Sequence, residues 1–121
     1  DLTINGDGTE GLDFTYIDDL VQGIILSIIK PESVNQIFNI TFGAARSINQ
    51  LAEIVMDKFQ GIKLHHKKRD GLMPERGTLS ISKAQKLLGY NPQHPVEEGF
   101  VQYIDWYKHF VERNPALFKK Q

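Results

Sequence analysis

Apolar and polar residues alternate from the first positions of the chain. Leu2 and Ile4 stand against Thr3 and Asn5, a period of two that predicts a strand, and Gly6-Asp7-Gly8 predicts the turn that follows it. Leu12, Phe14 and Tyr16 alternate with Asp13 and Thr15, which predicts a second short strand with one buried face. Asp18 and Asp19 then suit a helix N-cap and the positive end of the helix dipole. From Leu20 to Ile29 nearly every side of a helix would be apolar, so this helix is expected to be deeply buried. Pro31 stops it, because the residue before a proline is pushed out of the helical region.

The pattern changes period several times after that. Val34 to Thr41 holds Ile37, Phe38 and Ile40 and reads as a buried strand, with Gly43 as a turn. Ser47-Ile48-Asn49-Gln50 has the spacing of a capping box, and Leu51, Ile54, Val55 and Phe59 continue at helical spacing until Gly61. Ile62, Leu64 and His66 alternate with Lys63, His65 and Lys67, the pattern of a lysine-protected edge strand. Asp70 to Thr78 is a loop, Ser80 to Leu88 a short helix with Gly89 as its stop, and Asn91-Pro92 a turn. Pro95 opens a last helix with Glu97 and Glu98 in its first turn and an apolar stripe at Val96, Phe100, Ile104, Tyr107 and Val111; Asn114-Pro115 ends it. Short strands and about four helices make a small α/β unit of the α+β kind.

Composition narrows what such a unit can do. With 121 residues the chain, 1–121, reads as one domain. Fourteen basic residues against 15 acidic ones give a net charge of -1, which argues against a uniformly basic nucleic-acid binder. The chain has no cysteine, which excludes disulfides and cysteine-ligated metals and fits a cytoplasmic setting, as does the lack of a signal-peptide pattern. No apolar run approaches the roughly 20 residues that span a bilayer, so no membrane partner is expected. Asp1 is not a methionine and Leu2-Thr3-Ile4 is already mid-pattern, so the chain is expected to be a piece of something longer; a removed tag on a small protein is the alternative.

Several motifs imitate chemistry. Gly6-Asp7-Gly8-Thr9-Glu10-Gly11 has the spacing of a dinucleotide fingerprint, but that fingerprint leads into a helix N-terminus, and here a strand is predicted next. Two acidic residues would also flank the pyrophosphate. His65 and His66 are adjacent on a strand and point to opposite faces, so one metal ion would not take both. The cationic run Lys63 to Arg69 has no aromatic stacking platform within it, so it is read as a solvated edge rather than a nucleic-acid surface. No tyrosine is followed four residues on by lysine, and no nucleophile elbow or P-loop occurs; Asp18 and Asp19 read as caps, and Trp106 as packing or interface material. No catalytic and no metal-binding residue is assigned.

The order of the pieces resembles one family. It runs from Leu2-Thr3-Ile4-Asn5-Gly6-Asp7-Gly8 into Asp13-Phe14-Thr15-Tyr16-Ile17-Asp18-Asp19-Leu20, through Phe38-Asn39-Ile40 and Ser47-Ile48-Asn49-Gln50-Leu51, to Ser82-Lys83-Ala84 and Leu87-Leu88-Gly89-Tyr90-Asn91-Pro92, and closes with Val96-Glu97-Glu98-Gly99-Phe100 and Ile104-Asp105-Trp106-Tyr107. These resemble the C-terminal, substrate-binding part of the NAD-dependent nucleotide-sugar epimerases and dehydratases, the extended short-chain dehydrogenases, in the manner of the UDP-glucose 4-epimerases. No single piece is specific; their order and spacing are.

The resemblance implies a fragment of a longer enzyme. An N-terminal Rossmann lobe, missing here, would hold NAD and the catalytic tyrosine and lysine. This lobe would bind the nucleotide sugar, UDP-linked by the resemblance, carry no cofactor itself, and be inactive alone; the parent's oligomeric state is left open. Thr3 and Asn5 resemble the strand against the nucleotide base. A basic residue before Ser82-Lys83-Ala84 meets the diphosphate in such proteins, and both Arg76 and Arg69 fall in that stretch, with Arg76 preferred; a planar guanidinium fork suits phosphate oxygens. The family also places arginine before the aspartate–aromatic pair, where this chain has Leu12, and glutamine where it has Glu10. One lost charge-assisted contact is worth about 1.5–3 kcal/mol. Either another cation, with Arg46 a candidate, substitutes, or the substrate is held differently. The alternative to an enzyme fragment is a stand-alone sugar-nucleotide or protein binding module derived from that lobe.

Overall fold

The computed structural model describes residues 1–74 and 76–118. Strand β1 (Leu2–Asn5) pairs in parallel with a distant strand (Leu64–Lys67), and a two-residue strand β2 (Gly11–Leu12) pairs antiparallel with β3 (Arg46–Ser47); the distant strand is β4. Between and after them lie four helices among the described residues: α1 (Ile17–Ile29), α2 (Ile48–Lys58), α3 (Ser82–Leu88) and α4 (Val96–Arg113). This is the small α+β unit that the periodicities predict.

Local chemistry sets the helix ends. The Ser47 side chain accepts a hydrogen bond from the Gln50 amide while the Gln50 side chain takes the Ser47 amide, so the capping box forms as spaced. Gly89 closes α3 in the left-handed conformation, at φ 71°, which a side chain would resist. Pro95 precedes α4 as its cap rather than standing inside it, and Asn114 ends it.

The core is built around α3. Ala84, Leu88 and Tyr90 are buried together, with Leu26, Phe38, Ile40 and Ile81 packed against them. The Tyr90 hydroxyl donates to the Thr41 carbonyl at 3.0 Å, and burial, with the nearby charges of Asp19 and Asp13, pushes the phenol up to about 12.

Helix α1 overturns the expectation of deep burial. Only Asp19 and Gly23 are buried along it, while Ile17, Leu20, Val21, Ile24, Ile25, Ile28 and Ile29 are exposed. Its inward face carries Asp19, Gln22, Gly23 and Leu26, spaced as one helical stripe: Asp19 and Gln22 accept amides of the 91–94 segment, Gly23 lies against Ile40, and Leu26 meets the core. The helix comes so close at Gly23 that a methyl group there would overlap Ile40. An all-round apolar helix signals burial on all sides, and among the described residues only one side of α1 is covered.

Two further expectations change. The segment from Val34 to Thr41 forms no strand, and Ile37 is 87% exposed; a strand exists only where a neighbour offers its backbone, and none of the described residues does so there. The strand expected through Tyr16 is limited to Gly11–Leu12, because its partner β3 is only two residues long. Asp18 and Asp19 do not cap α1 either. Tyr16 occupies that position without a side-chain bond, and Asp19 is turned inward to another loop.

Candidate functional site

Three adjoining cavities meet at one side chain. The first, of about 210 Å³, is lined along one side by Thr3, Ile4 and Asn5 of β1 and on the others by Glu10, Leu12, Ile48, Met73 and Arg76. A second, polar one of about 460 Å³ lies among Gly6, Asp7, Thr9, Glu10, Arg69 and Arg76. A third, of about 550 Å³, is framed by Leu12, Asp13, Phe14, Thr41, Arg76, Gly77 and Leu79. Arg76 belongs to all three. The four residues that the sequence singles out, Thr3, Asn5, Arg69 and Arg76, are thus brought to one connected surface.

The two arginines differ in state. Arg69 is half-buried and occupied: its guanidinium donates to the carbonyls of Met73 and Pro74 at 3.3 and 3.0 Å and lies 3.5 Å from the Glu10 carboxylate. Its aliphatic stem runs beside Gly6, whose φ of 96° is in the left-handed region. It therefore braces the 70–74 loop. Arg76 is exposed, and no hydrogen bond or ion pair ties it to another described residue. Among the described residues nothing takes up its five donors, and a guanidinium that faces a cavity in this way has the geometry to meet an anion.

Arg46 does not replace the cation missing at position 12. It sits opposite Leu12 across the β2–β3 pair, but its guanidinium is joined to Glu97 of α4, which holds that carboxyl below the usual range. Its other bond goes to the Ala45 carbonyl. Leu12 presents an apolar wall to two of the cavities.

The glycine turn follows the strand reading rather than the dinucleotide one. The Thr9 amide and hydroxyl both donate to Asp7, at 3.0 and 2.7 Å, and hold its carboxyl below the ordinary value. The chain then enters β2, and the first helix begins only at Ile17. This turn presents no helix N-terminus to a pyrophosphate, so it does not fit the cofactor.

Sequence reasoning missed Asp13 and misjudged Asp19. Asp13 accepts the Gly43 amide on one oxygen at 3.0 Å and the Leu79 amide on the other at 3.2 Å. Asp19 is 1% exposed and accepts the amides of Gln93 and His94, both at 2.9 Å, with the His94 ring Nδ1 at 3.0 Å. Burial alone would raise the Asp19 carboxyl, but the amides of Gln93 and His94 and the His94 ring outweigh it, and the net displacement is downward. A carboxylate next to a chain turn, far in sequence from any cation, was the only signal for either role.

A separate groove of about 290 Å³ is mainly apolar, between Tyr16, Ile17, Leu51, His94, Phe100 and Tyr103. Neither lysine nor arginine lines it, and it touches the Arg76 surface only through Phe14, which also frames the third cavity. No group of residues that could hold a metal ion occurs among the described residues. None of the described helices is long and apolar enough to cross a membrane.

Comparison with known proteins places this geometry. No family profile matches the chain. A UDP-glucuronate 4-epimerase of Thermodesulfobacterium geofontis is 38% identical over 117 residues, 92% of this chain and 34% of that protein. The solved UDP-glucose 4-epimerase of Thermotoga maritima, with UDP-glucose, superposes at a TM-score of 0.83 with 26% identity over 92% of this chain and 36% of that one. The UDP-glucuronic acid 4-epimerase of Bacillus cereus, in complex with UDP-glucuronic acid and NAD, gives 0.77 and 29% over 90% and 35%. The chain therefore spans about a third of the length of the proteins it matches.

Proposed function

Since the chain belongs to the NAD-dependent nucleotide-sugar epimerase family as its C-terminal part, we propose that it is the lobe that binds the nucleotide sugar, through a UDP diphosphate held by Arg76. One observation carries the reading: a guanidinium with no partner among the described residues stands where three cavities join, with the β1 residues Thr3 and Asn5 lining the same surface. A diphosphate needs fixed donors of positive charge, and the base and sugar on either side of it need separate recesses. Thr41 stands on the third cavity's wall, but its hydroxyl is turned out of solvent and has no partner among the described residues.

In this proposal NAD and the catalytic groups belong to the rest of the parent protein. That remainder would cover the outer face of α1, where seven apolar side chains face outward, and offer a sheet edge to the 36–41 segment. The isolated chain is expected to turn over no sugar nucleotide. Leu12 and Glu10 leave the site with less positive charge than the usual family pattern, so affinity rests on Arg76 more heavily.

The test is calorimetric titration of UDP into the full-length protein. Arg76→Ala should weaken UDP by roughly 10- to 100-fold, the value of about 1.5–3 kcal/mol for a charge-assisted hydrogen bond. Arg69→Ala should weaken it less, because it removes a brace and not a ligand contact. Unchanged UDP affinity in Arg76→Ala would refute the assignment.

A further inference from the structure

Asp13 frames the third cavity with Arg76 but makes no hydrogen bond or ion pair with it; its carboxylate instead ties down the loop that carries Arg76. Its carboxylate bridges two segments that are far apart in sequence, accepting the Gly43 amide and the Leu79 amide. Leu79 lies three residues beyond Arg76. Two weaker clasps join the same segments: the Ala45 amide donates to the Thr78 hydroxyl at 2.9 Å, and the Asn39 side chain donates to the Ser80 carbonyl at 3.1 Å. On the other side of Arg76, Arg69 grips the carbonyls of Met73 and Pro74. The loop is thus held on both sides of Arg76, and no hydrogen bond ties Arg76 itself to another described residue.

We infer that Asp13 is the positioning residue for Arg76, fixing the far end of its loop so that the guanidinium stays at the junction of the three cavities. The inference rests on the diphosphate reading of Arg76. The chemistry requires a carboxylate. Two N–H donors approach its two oxygens, and a carboxylate is acceptor-only. An asparagine offers one oxygen and turns two donors toward the second amide, so one tether is lost whichever way the amide lies. Gly43 reinforces the need for a fixed geometry. It has φ 82°, and a side chain there would press on Ile81, so the segment that Asp13 grips has little freedom to follow a shifted loop. A long side chain on a free loop loses rotamer and backbone freedom when it binds, and a tether removes part of that cost beforehand.

The experiment compares UDP with uridine, which lacks the diphosphate, on the full-length protein by ligand-observed NMR and calorimetry. Asp13→Asn should weaken UDP at least about fivefold, by less than Arg76→Ala does, and leave uridine unchanged, since a lost position cannot cost more than the lost contact. In an Arg76→Ala background Asp13→Asn should have no further effect on UDP, the signature of one residue acting through another. Thr78→Val, which removes an independent clasp on the same loop, should reproduce the pattern more weakly if Asp13→Asn fails to fold. Equal weakening of UDP and uridine, or additive losses in the double variant, would overturn the inference while leaving the Arg76 assignment standing. An Arg76→Ala variant with normal UDP affinity would instead remove the reading on which it rests.

Discussion

The packing around α3 and the outer surface of α1 are built from the same kinds of side chain and end in opposite states. Around α3, Ala84, Leu88 and Tyr90 are closed over by Leu26, Phe38, Ile40 and Ile81, and even the tyrosine hydroxyl has its acceptor. On α1, isoleucine after isoleucine points to solvent, with Ile28 76% exposed, while a carboxylate faces inward. Ordinary surface helices do the reverse. The difference shows that apolar content alone does not say where a core is; it says only that a surface is meant to be covered. One region is closed by the chain's own side chains, and the other leaves its apolar side chains exposed, as the proposed remainder of the parent protein would require.

The largest test of that contrast is Leu88→Ala. Leu88 is 1% exposed at the centre of the closed region, so its truncation should cost about 2–5 kcal/mol, transfer and cavity together. Urea denaturation of the chain reads it directly. A loss below about 1 kcal/mol would mean that the α3 region is as unfinished as α1.

Next in size is the seam between the two regions, at Asp19. Asp19→Asn leaves three donors around one oxygen, so a buried N–H goes unpaired, at about 1–3 kcal/mol at neutral pH. The pH dependence has a definite sign. The folded-state carboxyl lies below its unfolded value of 3.8, so its contribution is full above that value and is lost as pH falls through the lowered folded one. Wild-type stability should therefore decline below about pH 4 more steeply than that of Asp19→Asn. Parallel acid limbs would show that Asp19 carries no favourable charge interaction.

How far the sequence foretold each region follows from the range of the interactions involved. The capping box at Ser47 and the stops at Pro31 and Gly89 are legible because each is decided within a few residues, and the strands at Leu2 and Leu64 because each carries its own alternation, although their pairing with each other is long-range. The inward Asp19 was illegible, since its partners are 74 and 75 positions away. So was the absent strand at Val34–Thr41, whose side chains announce a sheet that its described neighbours do not provide. Of the site, Arg76 and Arg69 were visible as cations on a loop, and the resemblance to the epimerases chose the loop. What separated them, Glu10 and the carbonyls around Arg69, is geometry that no spacing reveals. Asp13 was quoted as part of a motif and its work was missed, because a carboxylate that accepts two distant amides has no local pattern.

The smallest effect expected in this chain is also the sharpest test of the outer face. Ile24 and Ile28 are one helical turn apart and both exposed, so Ile24→Glu with Ile28→Lys places an i,i+4 pair of opposite charge on α1. In the 121-residue chain the double substitution should change stability by no more than about 1 kcal/mol, because Ile28 is largely exposed and Ile24 half exposed, so little buried contact is lost. Sedimentation should show less self-association, because an apolar patch has been removed. In the full-length protein the same pair should cost several times more, since both charges would be trapped against an apolar partner surface. The ratio between the two measurements is the informative quantity. A ratio near one would mean that the α1 face stays wet in the parent, and the reading of an uncovered interface would fail. A large ratio with an unchanged Leu88→Ala cost in both contexts would locate the boundary between the self-sufficient and the dependent halves of this lobe along α1, between its Asp19–Leu26 stripe and its isoleucines.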